Sequence, residues 1–305
     1  MTSLTVATVN VNGVRAAFRK GMGAWLEGRA PDVVLLQEVR APLEELAKLL
    51  PADEGWHLAA QASEIKGRAG VAIASRLPLR AVRLGLEPAR DAQTPTTAAG
   101  ESLAQVEPLS TTGTVSETNP FGEPPVDTGR WIEAEVSLPD GTVATVVSCY
   151  LHSATNAEGY LHTLLAKYAH LDKVTTRLAE LAGAEQAVVV GGDVNIAHRN
   201  ADIANWRGNK KSAGFLPEER AYLDRWFGEL GWTDLGRAHG GEGPGPYTWW
   251  SWRGQAFVND KGWRIDYQLA NPALAPRALK VEVDRAPSYA ERWSDHAPVI
   301  ATYDL

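Results

Sequence analysis

Five short strand-like runs in this chain carry oxygen-bearing side chains at one end, and that recurrence limits the folds open to it. Residues 190–198, V-G-G-D-V-N-I-A-H, show the pattern: an apolar run stops at two glycines, and Asp193 and Asn195 follow two apart. Asn10 and Asn12 close the alternating run 5–12, and Glu38 follows the apolar run 33–36. Asp266 opens a run in R-I-D-Y, and Asp295 and His296 precede the last run, at 299–303. In an extended chain residues i and i+2 face the same side, so Asn10 and Asn12 should project together, as should Asp193 and Asn195. Taken singly, each group reads as turn chemistry, a side chain bonding its own backbone. Equally bland readings make Glu38 a solvated loop carboxylate, His296 a structural histidine, and Asp266 the partner of Arg264. Turn chemistry does not explain why all of them fall at the same kind of position, where sheet proteins assemble their sites.

Between these runs the pattern alternates between period two and period three-to-four. Helices are expected at 15–27, at 158–181, where Leu161, Leu164, Leu165, Tyr168, Leu171, Val174 and Leu178 recur at helical spacing, and at 218–230. Strands are expected at 71–74, 81–84, 188–190, 247–250, 265–270 and 279–283, with a hairpin pairing 131–136 to 143–150 through Pro139-Asp140-Gly141. Many short strands with few helices imply two packed sheets with helices outside them. The segment 87–128 is rich in Thr, Ser, Pro and Gly, and is expected as an excursion within one domain spanning 1–305.

Composition narrows the class. No window of about 18 apolar residues exists, so no membrane span is expected. The first residues, M-T-S-L-T-V, lack a basic segment followed by an apolar one, so no secretory signal is expected either. The single cysteine, Cys149, lies in an apolar run, which points to a core residue, to no disulfide, and to the cytoplasm. A net charge of −7 disfavours a general nucleic-acid binder, although clustered site carboxylates can hide a local basic rim. Hard oxygen ligands without cysteine suit Mg²⁺ or Mn²⁺ rather than zinc. A carboxylate to activate water, a carboxamide to orient it and an Asp–His pair facing developing negative charge would complete a phosphodiester hydrolase.

The motifs T-V-N-V-N-G-V-R (8–15), L-L-Q-E (35–38), G-D-V-N-I-A-H (192–198), N-K-K-S-A-G-F-L-P-E-E-R (209–220), G-W-R-I-D-Y (262–267) and W-S-D-H-A-P (293–298) occur in that order. Together they resemble the exonuclease III family of abasic-site endonucleases, within the endonuclease/exonuclease/phosphatase superfamily. The resemblance implies an α/β fold, a four-layer αββα sandwich of two mixed β-sheets flanked by helices, with the site at one edge of the sheets. It implies Glu38 as the main Mg²⁺ ligand, Asn10 and Asn12 beside it, and Asp295 as a further carboxylate on the metal side. Asp193, Asn195 and His296 complete the set around the ion. Asp193 is implied as the base for the attacking water, with Asn195 orienting it. His296, held by Asp266, and Tyr150 are implied at the scissile phosphate. Asn205, Arg207, Asn209, Lys210, Lys211 and Ser212 become a loop contacting the DNA backbone, where a solvated polar loop would be the plain reading. Several of the eleven tryptophans crowd 249–263, and Trp249, Trp263 and Ile265 match positions that pack on an extruded abasic sugar, where core packing would be the plain reading. His152 departs from the family, which usually has proline there.

The resemblance therefore implies a monomeric enzyme that cuts duplex DNA 5′ to abasic sites and also acts on 3′ ends as exonuclease and phosphatase. Two rivals predict different residues. A phosphodiesterase for small or lipid phosphates would not need the segments 209–220 and 262–267. An inactive DNA-binding relative would lack a ligand or the base, and neither is missing.

Overall fold

The computed structural model of the protein describes residues 3–86 and 128–305, so the expected excursion at 87–128 lies, Thr128 apart, outside the described residues. The described strands form two six-stranded sheets. The first contains β1 (Ser3–Asn10), β2 (Val33–Gln37), β3 (His57–Gln61), β4 (Val71–Ser75), β11 (Ala278–Val283) and β12 (Val299–Asp304), in the order β11-β12-β1-β2-β4-β3. The second contains β5 (Leu79–Leu84), β6 (Trp131–Ser137), β7 (Val143–Tyr150), β8 (Ala187–Asp193), β9 (Thr233–Asp234) and β10 (Asp266–Ala270), in the order β5-β6-β7-β8-β10-β9. Each sheet is mixed: β1 and β2 pair parallel in one, β7 and β8 in the other.

Alternation along the strands sorts side chains into layers. Val33 and Leu35 of β2 face a core between the sheets, where they join Ile132, Val146 and Val189 of the second sheet. Val34 and Leu36 face the other way, toward Val14 and Ala17 of α1 (Val14–Arg19), Leu26 of α2 (Met22–Arg29) and Leu46 of α3 (Leu43–Leu49). On the second sheet, Val188 and Val190 meet Leu171, Val174 and Leu178 of α4 (Leu161–Ala182), while Leu223 and Trp226 of α6 (Pro217–Phe227) pack in the same cluster. Two apolar faces per sheet demand four layers, and the four-layer αββα sandwich is what forms. Cys149 is buried in the second helix–sheet layer, as expected.

Two local differences from the sequence reading have physical causes. The helix expected at 15–27 is two short helices, because Gly21 turns left-handed with φ 114° between them. The strand expected at 247–250 makes only isolated bridges, from Trp249 to Trp263 and to His296. Those bridges put Trp249 between the catalytic histidine candidate and the tryptophan of 262–267.

The glycine pair at 191–192 is a close-approach device. A Cβ on Gly191 would lie 2.6 Å from Leu35 Cδ1 and 2.9 Å from Thr8 Cβ, across the sandwich. A Cβ on Gly192 would meet the Cys149 carbonyl oxygen at 1.9 Å. Without a side chain at Gly191 β8 draws near β1 and β2, so the ends of strands from both sheets open onto one cleft, while bare Gly192 admits the close approach of β7 within its own sheet. None of the described helices is long and apolar enough to cross a membrane.

Candidate active site

Three site residues stand one or two positions beyond strand ends in left-handed backbone: Asn12 (φ 47°), Glu38 (φ 50°) and Asn195 (φ 55°). Non-glycine residues rarely adopt that region, and strain of this kind collects at functional sites. It also corrects the expected i, i+2 projection, since neither Asn12 nor Asn195 continues its strand. Each asparagine instead folds back on its partner. Asn12 N–H donates to Asn10 Oδ1 at 3.0 Å, and Asn195 N–H donates to Asp193 Oδ1 at 2.9 Å.

Asn10, fully buried at the end of β1, joins the two sheets. Its Nδ2 donates to Glu38 Oε1 at 2.9 Å and to Asp193 Oδ2 at 3.0 Å, so one carboxamide bridges a carboxylate from each sheet. Tyr150, the last residue of β7, donates its hydroxyl to the same Glu38 oxygen at 2.8 Å. The other Glu38 oxygen is held by Arg40. Asp295 accepts from Asn12 Nδ2 at 2.8 Å and from Trp249 Nε1 at 3.1 Å. Asn195 Nδ2 donates one of its two hydrogens to the Leu151 carbonyl at 3.0 Å, which fixes the orientation of the amide.

His296 and Asp266 form the second crossing between sheets. His296 Nδ1 lies 3.0 and 2.9 Å from the two Asp266 oxygens, and Asp266 Oδ2 also accepts from Thr248 Oγ1 at 2.6 Å. The alternative partner, Arg264, is committed elsewhere, to Asp202 at 2.7 Å and to both Asp234 oxygens at 2.9 and 2.7 Å. His296 Nε2 points along the line toward Asp193, 3.9 Å from its Oδ2.

Burial raises the pKa of Asp193 well above the usual carboxylate range; the imidazole of His296 and the amide of Asn10 oppose the rise, while Asp266 adds to it. Burial acts against a charged His296, yet attraction and hydrogen bonding from Asp266, then the charge of Asp193, hold its pKa above the ordinary histidine value. Burial and the neighbouring Glu38 carboxylate push the Tyr150 hydroxyl far up, so it stays a donor.

These groups line one cleft of about 360 Å³, to which Asn12, Glu38, Tyr150, Asp193, Asn195, Asp295 and His296 all contribute. Asn10 and Asp266 lie behind its floor. Trp249, Trp263 and Ile265 form an apolar wall of the same cleft, with the two indoles edge-to-face at 6.2 Å. The segment 205–212 borders the cleft through Ala213 and Gly214, which are lining residues, but is not itself part of the lining. Its polar groups divide in a way the sequence did not show. Asn205 caps the short helix α5 (Trp206–Asn209), Asn209 Nδ2 donates to the Asn205 carbonyl at 2.8 Å, and Ser212 Oγ donates to Asn209 Oδ1 at 3.2 Å. Arg207 and Lys210 lie against the Trp206 ring at 4.3 and 4.9 Å, and they and Lys211 are exposed. The asparagines and Ser212 therefore shape the loop, and the three cations are what it offers to solvent. Arg40, Thr248 and Ser153 belong to the site or its support and escaped sequence reasoning; for Arg40 the signal was its place two residues after Glu38.

A possible metal site is present: ligand atoms of Asp193, Asp266 and His296 lie within 4.8 Å of one another. Hard carboxylate oxygens also concentrate at Glu38 and Asp295, in a cleft without a thiol, which fits an oxygen-preferring divalent ion.

The chain matches the endonuclease/exonuclease/phosphatase family over residues 7–296. It is 29% identical to the DNA repair nuclease APEX1 of Danio rerio over 97% of this chain and 81% of that protein. It is 39% identical to an exodeoxyribonuclease of Streptococcus pneumoniae over 46% of this chain, a match spanning about half (47%) of that relative. Among solved structures, a 3′ phosphatase, NExo, from Neisseria bound to a product DNA hairpin superposes with a TM-score of 0.75 at 26% identity, covering 99% of this chain and all (100%) of that one. An AP endonuclease from Archaeoglobus fulgidus gives a TM-score of 0.71 at 25% identity, with 99% and 100% coverage.

Proposed function

Because the chain belongs to the endonuclease/exonuclease/phosphatase family, we propose that its cleft binds Mg²⁺ and hydrolyses the phosphodiester 5′ to an abasic site in duplex DNA. The protein is a metal-dependent DNA repair nuclease. One observation carries the finer reading: Glu38, Asp193 and His296, the last held from behind by Asp266, come from both sheets and face one cleft with an indole wall.

Glu38 would be the main ligand of the ion, with Asp295, Asn10 and Asn12 around it. When bound, a divalent ion neutralises phosphate charge and stabilises the leaving 3′ oxygen. The cluster of Asp193, Asp266 and His296 is close enough to hold an ion, but Asp266 is already spent on His296 Nδ1 and Thr248 Oγ1. We therefore assign that cluster to the water and the phosphate. Asp193, with its raised pKa, accepts the proton of the attacking water, a task for which a near-neutral carboxyl is better matched than an ordinary one. Asn195, its nitrogen fixed by Leu151, turns its amide oxygen to the same water. Asp266 accepts from Nδ1–H of His296 and favours the imidazolium, so Nε2 also carries a proton and donates a hydrogen bond to a non-bridging phosphate oxygen. Tyr150, kept protonated, fixes Glu38.

The wall of Trp249, Trp263 and Ile265 suits a deoxyribose without its base, and the cations Arg207, Lys210 and Lys211 suit backbone phosphates. The same chemistry serves at 3′ ends, as exonuclease and 3′-phosphatase. The enzyme would work in the cytoplasm as a monomer, and Mn²⁺ would replace Mg²⁺ in kind. Incubating the protein with a duplex carrying one abasic site should give a single nick in Mg²⁺, none in chelator, and far slower cutting of the intact duplex. Equal cutting of both duplexes would reject abasic recognition, and cutting in chelator would reject the role of the ion.

A further inference from the structure

Two charged side chains with no solvent exposure lie behind this cleft. Lys167 of α4 and Glu219 of α6 pair at 2.6 Å, both 0% exposed. Burying an ion pair this completely costs more than the attraction returns unless every remaining valence is used. The way they are used is informative. Lys167 Nζ also donates to the Asn195 carbonyl at 2.8 Å. Glu219 Oε2 accepts from Gly214 N–H at 2.6 Å and from Leu216 N–H at 3.0 Å. A glutamate at the third position of a helix commonly caps the first turn, and the bond to Leu216 is that cap. The cap does not require a buried lysine, nor does it require the bond to Gly214.

The two anchored residues, Asn195 and Gly214, both line the cleft. Asn195 stands at φ 55°, so its carbonyl points away from the strand direction and needs a partner there. Gly214 stands at φ 88°, and a Cβ on it would lie 3.0 Å from the Asn195 oxygen and 3.1 Å from Trp263 Cζ3. Its own carbonyl accepts from Ala197 N–H at 2.8 Å. Gly214 backbone is thus wedged between the water-orienting residue and the indole wall, at the end of the loop carrying Lys210 and Lys211. Burial lowers the Lys167 pKa, while Glu219 first and then Asp193 favour its charged form.

We propose that the Lys167–Glu219 pair is a positioning device: through the Asn195 carbonyl and the Gly214 amide it ties the water-orienting residue to the substrate wall and the cationic loop. Contact of DNA with the loop and alignment of the water are then set by one rigid connection. The assignment rests on the nuclease reading of the cleft.

The test compares Lys167→Met and the double variant Lys167→Met/Glu219→Leu with the wild-type chain. It reads kcat and KM on the abasic duplex in Mg²⁺, thermal unfolding, and amide hydrogen exchange at 195–197 and 214–216. Lys167→Met should lower kcat by at least about tenfold and change KM by less than about threefold, because misplacement of a reacting group acts on turnover. The double variant removes both charges together and should unfold at or above the temperature of the single variant while kcat stays low. Amide exchange in both segments should accelerate together. Recovery of wild-type kcat in the double variant would make the pair structural only and overturn the proposal, as would unchanged exchange in both variants. A wild-type chain that fails to nick abasic DNA would sink the nuclease reading instead, and the exchange data would still judge the connection.

Discussion

Asp193 and His296 face each other with opposite preferences, and their pKa directions make a testable pH profile. In the proposed mechanism, activity requires Asp193 without its proton and His296 with one. Burial raises the Asp193 pKa, so activity should climb with pH only above the ordinary carboxylate value of about 4. Burial opposes the imidazolium and Asp266 is the strongest influence favouring it, so activity should hold past the ordinary histidine value of about 6.5 and fall only as pH passes the raised value, about 10. Asp266→Asn removes that influence and keeps the shape. Its pH–rate profile should show the alkaline limb moved toward lower pH by roughly one unit or more, with kcat reduced by a hundredfold or more on the scale of about 10⁴ seen for orienting carboxylates. An alkaline limb that stays in place would assign it to another group. Asp193→Asn, in contrast, should abolish turnover while leaving binding of abasic DNA within about twofold, read by titration in Ca²⁺ or chelator. The residues on which these predictions rest were legible in the sequence as polar groups at strand ends. Their orientation was not, because Asn12 and Asn195 leave the extended region where the i, i+2 rule applies. Lys167 and Glu219 were illegible for another reason: a charge reads as solvated until the fold brings its partner, here 52 residues away.

At the scale of elements, the pair Gly191–Gly192 does more than end a strand. Both glycines sit inside β8, where glycine otherwise weakens a strand, and both face atoms too close for any side chain. Gly192→Ala should therefore cost about 3 kcal/mol or more, the upper range for overpacking, read as a lower urea midpoint at unchanged m-value. The control is Gly141, a turn glycine at φ 87° with nothing within 4 Å of where a Cβ would sit. Gly141→Ala should cost about 1 kcal/mol, from backbone strain alone. Equal losses at the two positions would show that the strand conformation, not the close approach, selects glycine. Elements that pair or pack on apolar runs were read well, as with the β6–β7 hairpin and α4. The edge strand β3, His57–Gln61, was not read, because H-L-A-A-Q has little β-branched or aromatic character and is a strand through its pairing with β4.

At the scale of the whole molecule, the apparent conflict is between a net charge of −7 and a DNA substrate. The conflict is resolved by distance. At physiological salt, charges beyond about 8 Å are largely screened, so phosphates respond to the surface they touch rather than to the total. On the proposed reading that surface includes exposed Lys211 together with Arg207 and Lys210, the latter two held over the Trp206 ring, on a loop stiffened by its own asparagines and tied by Asn156 to the Lys211 carbonyl. Each cation meeting a phosphate releases counterions, so affinity should fall linearly with the logarithm of salt concentration. Lys210→Gln and Lys211→Gln should each lower the slope of log K against log salt by about one while weakening binding to abasic and intact duplexes alike. Trp249→Ala should leave that slope unchanged and lose only the preference for the abasic duplex, because an apolar wall contributes no counterion release. Titrations of both duplexes across a salt series would separate these effects. A Lys210 or Lys211 variant with an unaltered slope would mean that the loop does not touch the backbone, and the acidic chain would then need another basic face to reach DNA.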